Sequence, residues 1–136
     1  MALRSRRKHP PRTPLPSDAE LDILAAVWRL GPSTVREIHE ALAKDSGYTT
    51  TLKQMQLMTE KGLLVRSDRF RSHVYEPSVA KEQTQKQIAA DILRRAFEGS
   101  SKNLVLGALT AQPASSEELD QIRRILDKLE KRREPR

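Results

Sequence analysis

The dipeptide Gly31-Pro32 restricts this chain more than any other feature. Proline lacks the amide that a helix interior needs, and its ring crowds the preceding turn, so no single helix can run through it. Apolar residues recur at helical spacing on both sides, which predicts two helices joined by a tight turn. The first opens at Ser17-Asp18-Ala19-Glu20, a capping box in which the Ser17 hydroxyl accepts from the Glu20 amide while Glu20 reaches back. Leu21, Leu24, Val27 and Trp28 then form its inward stripe, with Trp28 read as a core residue. Ser33 or Thr34 caps the second helix, Glu37 sits in its first turn, and Val35, Ile38 and Leu42 make its stripe. His39 lies beside that stripe with no second ligand nearby, and so reads as a half-buried packing histidine rather than a metal or acid–base group.

A third helix is written in Gly47 to Leu64, "GYTTTLKQMQLMTEKGLL", opened by threonines and closed by Lys61-Gly62. Leu52, Met55 and Met58 recur every third residue and should face inward, with Thr51 and Thr59 beside them. At about 100° per residue, the opposite side carries Thr50, Lys53, Gln54 and Leu57, flanked by Gln56, Glu60 and Lys61. Thr49, Thr50 and Thr51 occupy the helix start, where free amides and the dipole favour an anion. A helix that merely faces solvent usually mixes Glu with Lys; this face is Thr, Lys and Gln.

Next, "LLVRSDRFRSHVYEP" holds two short runs rich in Leu, Val and Tyr around an arginine-bearing loop. It predicts a β-hairpin over Leu63 to Ser67 and His73 to Pro77, with Asp68 to Ser72 between the strands. Three helices and a basic hairpin, in that order, are a winged helix-turn-helix. In its DNA-binding form the second helix of the motif enters the major groove, N-terminal residues nearest the bases. Gln suits adenine N6/N7, Lys suits guanine O6/N7, and Leu57 can meet a thymine methyl. The candidate DNA contacts are therefore Thr49, Thr50, Thr51, Lys53, Gln54 and Leu57 on the helix. Arg66, Arg69, Arg71 and His73 join them from the hairpin, placed for phosphates or the minor groove.

Charge supports the same division. The net charge is +7, of which Arg4, Arg6, Arg7, Lys8 and Arg12 supply +5 in a Pro-rich stretch over residues 1–16, expected to be a disordered basic arm that tracks the DNA backbone. Ser17 to Ala43 carries −3 and Lys44 to Arg71 carries +3, so the basic half of the block is the half with the third helix and hairpin. The chain has no Cys, which removes disulfides, thiol catalysis and the common zinc motifs. No phosphate-cradling glycine loop, nucleophile elbow or metal-ligand pair at useful spacing is present, so neither an enzyme nor a cofactor is expected. No apolar run approaches the roughly 18 residues of a membrane span, and the basic start lacks the apolar stretch of a signal peptide, so a cytosolic protein without a membrane partner is expected. Two other readings of the same residues stay open: a winged-helix module that docks an acidic protein partner, and a sensor that binds a small ligand between its helices.

"DAELDILAAVWRLGPSTVREIHEALAKDSGYTTTLKQMQLMTEKGLLVR" resembles the penicillinase-repressor family of bacterial transcription factors, which includes β-lactamase and copper-operon repressors. The specific elements are Trp28 before Gly31, "TVREIHEAL" from Thr34, "YTT" from Tyr48 and "EKGLL" from Glu60; together they cover about Leu15 to Pro77. The resemblance implies a dimer that sits on a palindromic operator in double-stranded DNA and blocks transcription, with Thr49, Thr50, Lys53 and Gln54 as recognition-helix contacts. It also implies that a sensor-linked protease could relieve repression by cutting the dimerisation half between Asn and Phe after "LVL". Here that place holds Gly107-Ala108. The cysteines used by copper-responsive relatives are absent from this sequence.

Beyond Pro77 helical spacing persists without strand signals. Ala80 to Gly99 is expected as a long helix with Ile88, Ile92, Leu93, Ala96 and Phe97 on one face. Leu104, Val105, Leu106 and Leu109 form a short apolar segment ending near Gln112-Pro113. Ser115 or Ser116 caps a last helix with Glu117 and Glu118 at its start and Lys131 to Arg133 at its end, both favourable to the dipole. Within it Leu119, Ile122, Leu126 and Leu129 follow the 3-4-3 spacing of helices packed side by side. An intramolecular pack would use that seam too, but these helices have little core of their own to cover, and a homodimer is the expectation. The predicted organisation is mostly α: a basic arm over 1–16, a winged helix-turn-helix over 17–78, and a helical dimerisation domain over 79–133. Ile88, Ile92, Ala96, Leu104, Leu119, Ile122, Leu126 and Leu129 are its dimer-forming side chains.

Overall fold

A computed structural model of the chain describes residues 15–43, 45–68 and 73–133. The chain divides into two compact units, Met1–Ala89 and Ala90–Arg136. In the first, α1 (Asp18–Leu30), α2 (Val35–Leu42) and α3 (Tyr48–Lys61) precede an antiparallel hairpin of β1 (Leu64–Ser67) and β2 (Val74–Pro77). This mostly helical order with one small hairpin is the winged helix-turn-helix that the sequence predicts. Helix α4 (Lys81–Ala96) follows, and α5 (Ser101–Ala111) and α6 (Ser116–Arg133) belong to the second unit. Among the described residues no helix is long and apolar enough to cross a membrane.

Local chemistry explains the helix ends. The α1 box is formed in full, with the Ser17 amide donating to Glu20 Oε1 at 2.9 Å and the Glu20 amide donating to Ser17 Oγ at 3.2 Å. The same device opens α2, where the Thr34 amide donates to Glu37 Oε1 at 2.8 Å and the Glu37 amide to Thr34 Oγ1 at 3.2 Å. Helix α3 ends at Gly62, whose φ of 87° is a left-handed conformation that glycine adopts without strain. The Gly62 and Leu63 amides turn back to the Thr59 and Met58 carbonyls at 3.2 and 2.8 Å, a Schellman stop. That turn sends Leu63 into the core, so β1 begins one residue later than predicted, at Leu64; β2 likewise begins at Val74 rather than His73.

The core of the first unit joins all these elements. Ile38, Met55 and Met58 are fully buried, and Ile23, Leu24, Val27, Val35, Leu63, Leu64 and Tyr75 close around them. Leu21 and Trp28 are half-buried rather than central, and Trp28, Leu42 and Leu52 pack on the outside of the cluster. The hairpin register sets Leu64 opposite Pro77 and Arg66 opposite Tyr75. A further rung fixes it to the helices: the Ser33 amide donates to the Tyr75 carbonyl at 3.1 Å, and the Tyr75 amide to the Ser33 carbonyl at 2.8 Å. The turn built around Gly31-Pro32 thus serves as a third, one-residue strand of the wing.

The second unit is organised differently. Helix α4 stops at Ala96, short of the predicted Gly99, because Glu98 and Gly99 take left-handed φ values of 49° and 80°. The Leu104 to Leu109 segment is helical, capped by Ser100, whose hydroxyl accepts from the Asn103 amide at 3.1 Å. Gly107 lies under the Phe97 ring, where an added Cβ would meet the ring edge at 3.6 Å. Ser115 caps α6 through the Glu118 amide at 3.1 Å. Neither α5 nor α6 buries a residue. Leu106, Leu126, Ile125, Val105 and Leu129 are 59, 57, 56, 48 and 48 % exposed.

Candidate nucleic-acid interface

Helix α3 turns on its long axis so that Thr51, Met55 and Met58 face the core. Its other flank is then set. Thr49, Thr50 and Lys53 are exposed, Gln54 is half-buried, and Leu57 is 42 % exposed. These five side chains line one hollow of about 200 Å³, so the structure brings together every helix residue proposed as a contact except one. The exception is Thr51, which corrects the sequence reading. It is only 5 % exposed, and its hydroxyl is bonded to His39 Nδ1 at 2.8 Å. A stripe at 51, 55 and 58 buries the helix better than one at 52, 55 and 58, and the half-buried His39 supplies the polar partner that a buried hydroxyl requires.

The start of α3 differs from those of α1 and α2. Their first amides meet Ser17 and Thr34 side chains, each backed by a glutamate, whereas α3 opens on Gly47 with no side-chain cap and no acidic residue in its first turn. Beside it lies a cluster that the sequence reading missed. The Arg36 guanidinium stands 4.9 Å from the centre of the Tyr48 ring. His39 meets the same ring edge-on at 6.0 Å between centroids. The signal was present, since Arg36 and His39 are three residues apart and share a side of α2, but nothing local tied them to Tyr48.

On the wing, Arg66 and His73 are exposed, and both face Asp68. His73 Nδ1 is 2.6 Å and Arg66 Nε 3.6 Å from the same carboxylate oxygen, Oδ1. Asp68 was read only as a loop residue; it is the counter-charge of the hairpin. Arg69 and Arg71, also candidate contacts, lie outside the described residues. Arg66 further borders a groove of about 720 Å³ between α3 and β1, with Gln56, Glu60 and Val65 on its walls.

The far end of α3 is anchored by charge. Lys61 Nζ lies 2.6 Å from Oε2 of Glu20, whose side chain is buried and whose other oxygen completes the α1 cap. Burial pushes the Glu20 carboxyl up, but the Lys61 hydrogen bond, the Ser17 amide and the Lys61 charge outweigh it and hold Glu20 below its ordinary value. One residue therefore starts α1 and tethers the end of α3.

The side chains proposed for dimerisation are placed as follows. Ile88, Leu104, Leu119 and Ile122 are half-buried, while Ile92, Ala96, Leu126 and Leu129 are exposed.

Comparison with known proteins finds relatives along most of the chain. The "Transcriptional regulator BlaI" of Mycobacterium tuberculosis is 30% identical over 116 residues, 83% of each chain. The "Penicillinase repressor" of Bacillus licheniformis is 26% identical over 124 residues, 90% of this chain and 97% of that one. A solution structure of the B. licheniformis BlaI monomer in complex with the blaP half-operator aligns with a TM-score of 0.46 at 26% identity, over 52% of this chain and 89% of that one. The family model described as penicillinase repressor matches residues 16–128, from just before the α1 cap to the last turns of α6. With the winged helix-turn-helix and the following helices inside one continuous match, the chain belongs to the penicillinase repressor family.

Proposed function

We propose that this protein is a homodimeric transcriptional repressor, without catalytic activity, that occupies a palindromic operator in the cytosol and blocks transcription. The observation that carries this reading is the outer flank of α3: Thr49, Thr50, Lys53, Gln54 and Leu57 share one hollow, and no carboxylate is among them. Major-groove edges present acceptors on guanine, paired donor and acceptor on adenine, and a methyl on thymine; Lys, Gln and Leu match them in that order. Phosphate would be repelled by acidic side chains at the same positions. Arg66 and His73 on the wing supply positioning contacts, which add affinity without sequence information. Membership of a family whose relatives are named as repressors supports the same conclusion.

Residues 17–78 serve as the reading domain, and the helices from residue 79 onward pair the subunits. Two-fold pairing sets two recognition helices into successive major grooves, which makes a palindrome the natural target. Each half alone binds weakly, so separating the subunits releases DNA through lost effective concentration. Gel-shift titration over a range of salt tests the reading. The promoter of the protein's own operon should bind more tightly than random DNA of equal length, and the gap should persist as salt rises. Equal affinity at every salt refutes operator-specific repression. Retention of a protein partner from nuclease-treated lysate, with no DNA preference, would instead favour an interaction module.

A further inference from the structure

The geometry points to Arg36 as a further DNA-backbone contact, supplied by the first helix of the motif and held in place by Tyr48. This inference rests on the DNA-binding reading above and adds a residue to it. Arg36 lies in the first turn of α2 and is exposed. Among the described residues no carboxylate is bonded to it. Glu37, its neighbour, is committed to the Thr34 amide and hydroxyl at 2.8 and 3.3 Å. What holds the guanidinium is the Tyr48 ring, 4.9 Å from its centre.

An arginine stacked on an aromatic face keeps its N–H fork free for an oxyanion, and the ring limits the freedom it would lose on binding. Tyr48 does not swing freely, because His39 braces it edge-on and is itself bonded to the buried Thr51 hydroxyl. Arg36, Tyr48, His39 and Thr51 thus form a continuous chain from the core to a cation that no carboxylate among the described residues holds. The cation sits beside Tyr48, the first residue of the helix that carries Thr49, Thr50 and Lys53. In this motif the first helix crosses the sugar-phosphate backbone while the second enters the groove. A phosphate flanking the bases read by α3 is therefore the acceptor that fits.

The test uses the full-length protein, a duplex carrying the promoter of its own operon, and a scrambled duplex of the same length, each titrated at several salt concentrations. Arg36→Ala should flatten the slope of log affinity against log salt by about 0.9, the release of one phosphate contact. Between 1 M and 0.1 M salt that amounts to a loss growing by about eightfold, alike on both duplexes. Arg36→Lys should keep the wild-type slope. Tyr48→Phe should bind as wild type, whereas Tyr48→Leu should lose about two- to fivefold by removing the ring. In the Arg36→Ala background Tyr48→Leu should cost nothing further. Both side chains are exposed, so neither change opens the core. A wild-type slope for Arg36→Ala, or losses that simply multiply, overturns the assignment while leaving operator binding intact. A wild-type protein that ignores both duplexes overturns the DNA-binding reading itself.

Discussion

The two units of this chain satisfy their apolar side chains in opposite ways. The first closes a core of its own, with Ile38, Met55 and Met58 reduced to 0 % exposure, although its hairpin has only two strands of four residues each. Helices α5 and α6 of the second bury none of their residues and leave Leu106, Ile125 and Leu126 more than half exposed. Length does not separate them, since α6, with 18 residues, is the longest helix described. The difference lies in partners. Helices α1, α2 and α3 pack on one another, and α1 and α3 also on the wing, whereas α6 leaves Ile125, Leu126 and Leu129 exposed. This contrast supports the proposal that the first unit reads DNA and that a second copy of the chain completes the second.

The sharpest way to break this contrast is to damage each unit in turn. Ile38→Ala should remove about 2–5 kcal/mol from the unfolding free energy, by lost burial and a residual cavity. Its melting temperature should fall at every protein concentration. Leu126→Lys should leave that unit folded and act on assembly instead. Sedimentation should shift from dimer to monomer, and affinity for a palindrome should fall by about 100-fold as two linked half-sites become independent. If Leu126→Lys melts the reading head, or leaves the sedimentation coefficient unchanged, the division of labour is wrong.

A smaller effect sharpens the account of how the first unit holds α3. Glu20, with its carboxyl below the ordinary value of 4.5, contributes stability that is fully present above that value and is lost as pH falls through its lowered folded value. Because Lys61 is half exposed, the pair should be worth only about 1 kcal/mol after screening. Thermal melts between pH 6 and pH 3 should therefore show the wild type losing stability below about pH 4.5. Glu20→Gln should start lower and fall less steeply over the same range. Parallel curves for the two proteins would mean that Glu20 has the same affinity for protons folded and unfolded, and that the tether contributes nothing.

What the sequence disclosed, and what it hid, follows the range of the interactions. The capping box at Ser17, a cap at Ser33 or Thr34 (the structure selects Thr34) and the Gly62 stop were legible because each is settled within a few residues by backbone hydrogen bonding. The polar flank of α3 was legible for the same reason, as periodicity fixes which residues share a side. Four features were not. The Ser33–Tyr75 rung, the Glu20–Lys61 tether, the Arg36–Tyr48 stack and the His39–Thr51 bond each join residues at least 12 apart, and no pattern in either segment names the other. The Thr51 correction belongs with these. Spacing alone allows stripes at 51 or at 52, and the contact with His39 on another helix decides between them.

That correction yields the finest test of the interface, because Thr50 and Thr51 are adjacent, chemically identical and assigned opposite roles. Valine replaces the threonine hydroxyl with a methyl of similar size, so each substitution removes a hydrogen-bonding group and little else. At Thr51 the loss is structural. His39 Nδ1 gives up its 2.8 Å partner in a buried site, which should cost about 0.5–1.5 kcal/mol of stability while leaving base preference as it was. Thr50 is exposed on the outer flank of α3, so Thr50→Val should melt within about 0.5 kcal/mol of wild type. Selection of bound sequences from a random pool should nevertheless return an altered preference at the base pair it faces. The reverse result, with Thr51→Val changing sequence preference and Thr50→Val changing stability alone, would require α3 to be rotated by about one residue, or 100°, from the orientation described. Lys53, Gln54 and Leu57 would turn with it, and the reading face would have to be assigned anew.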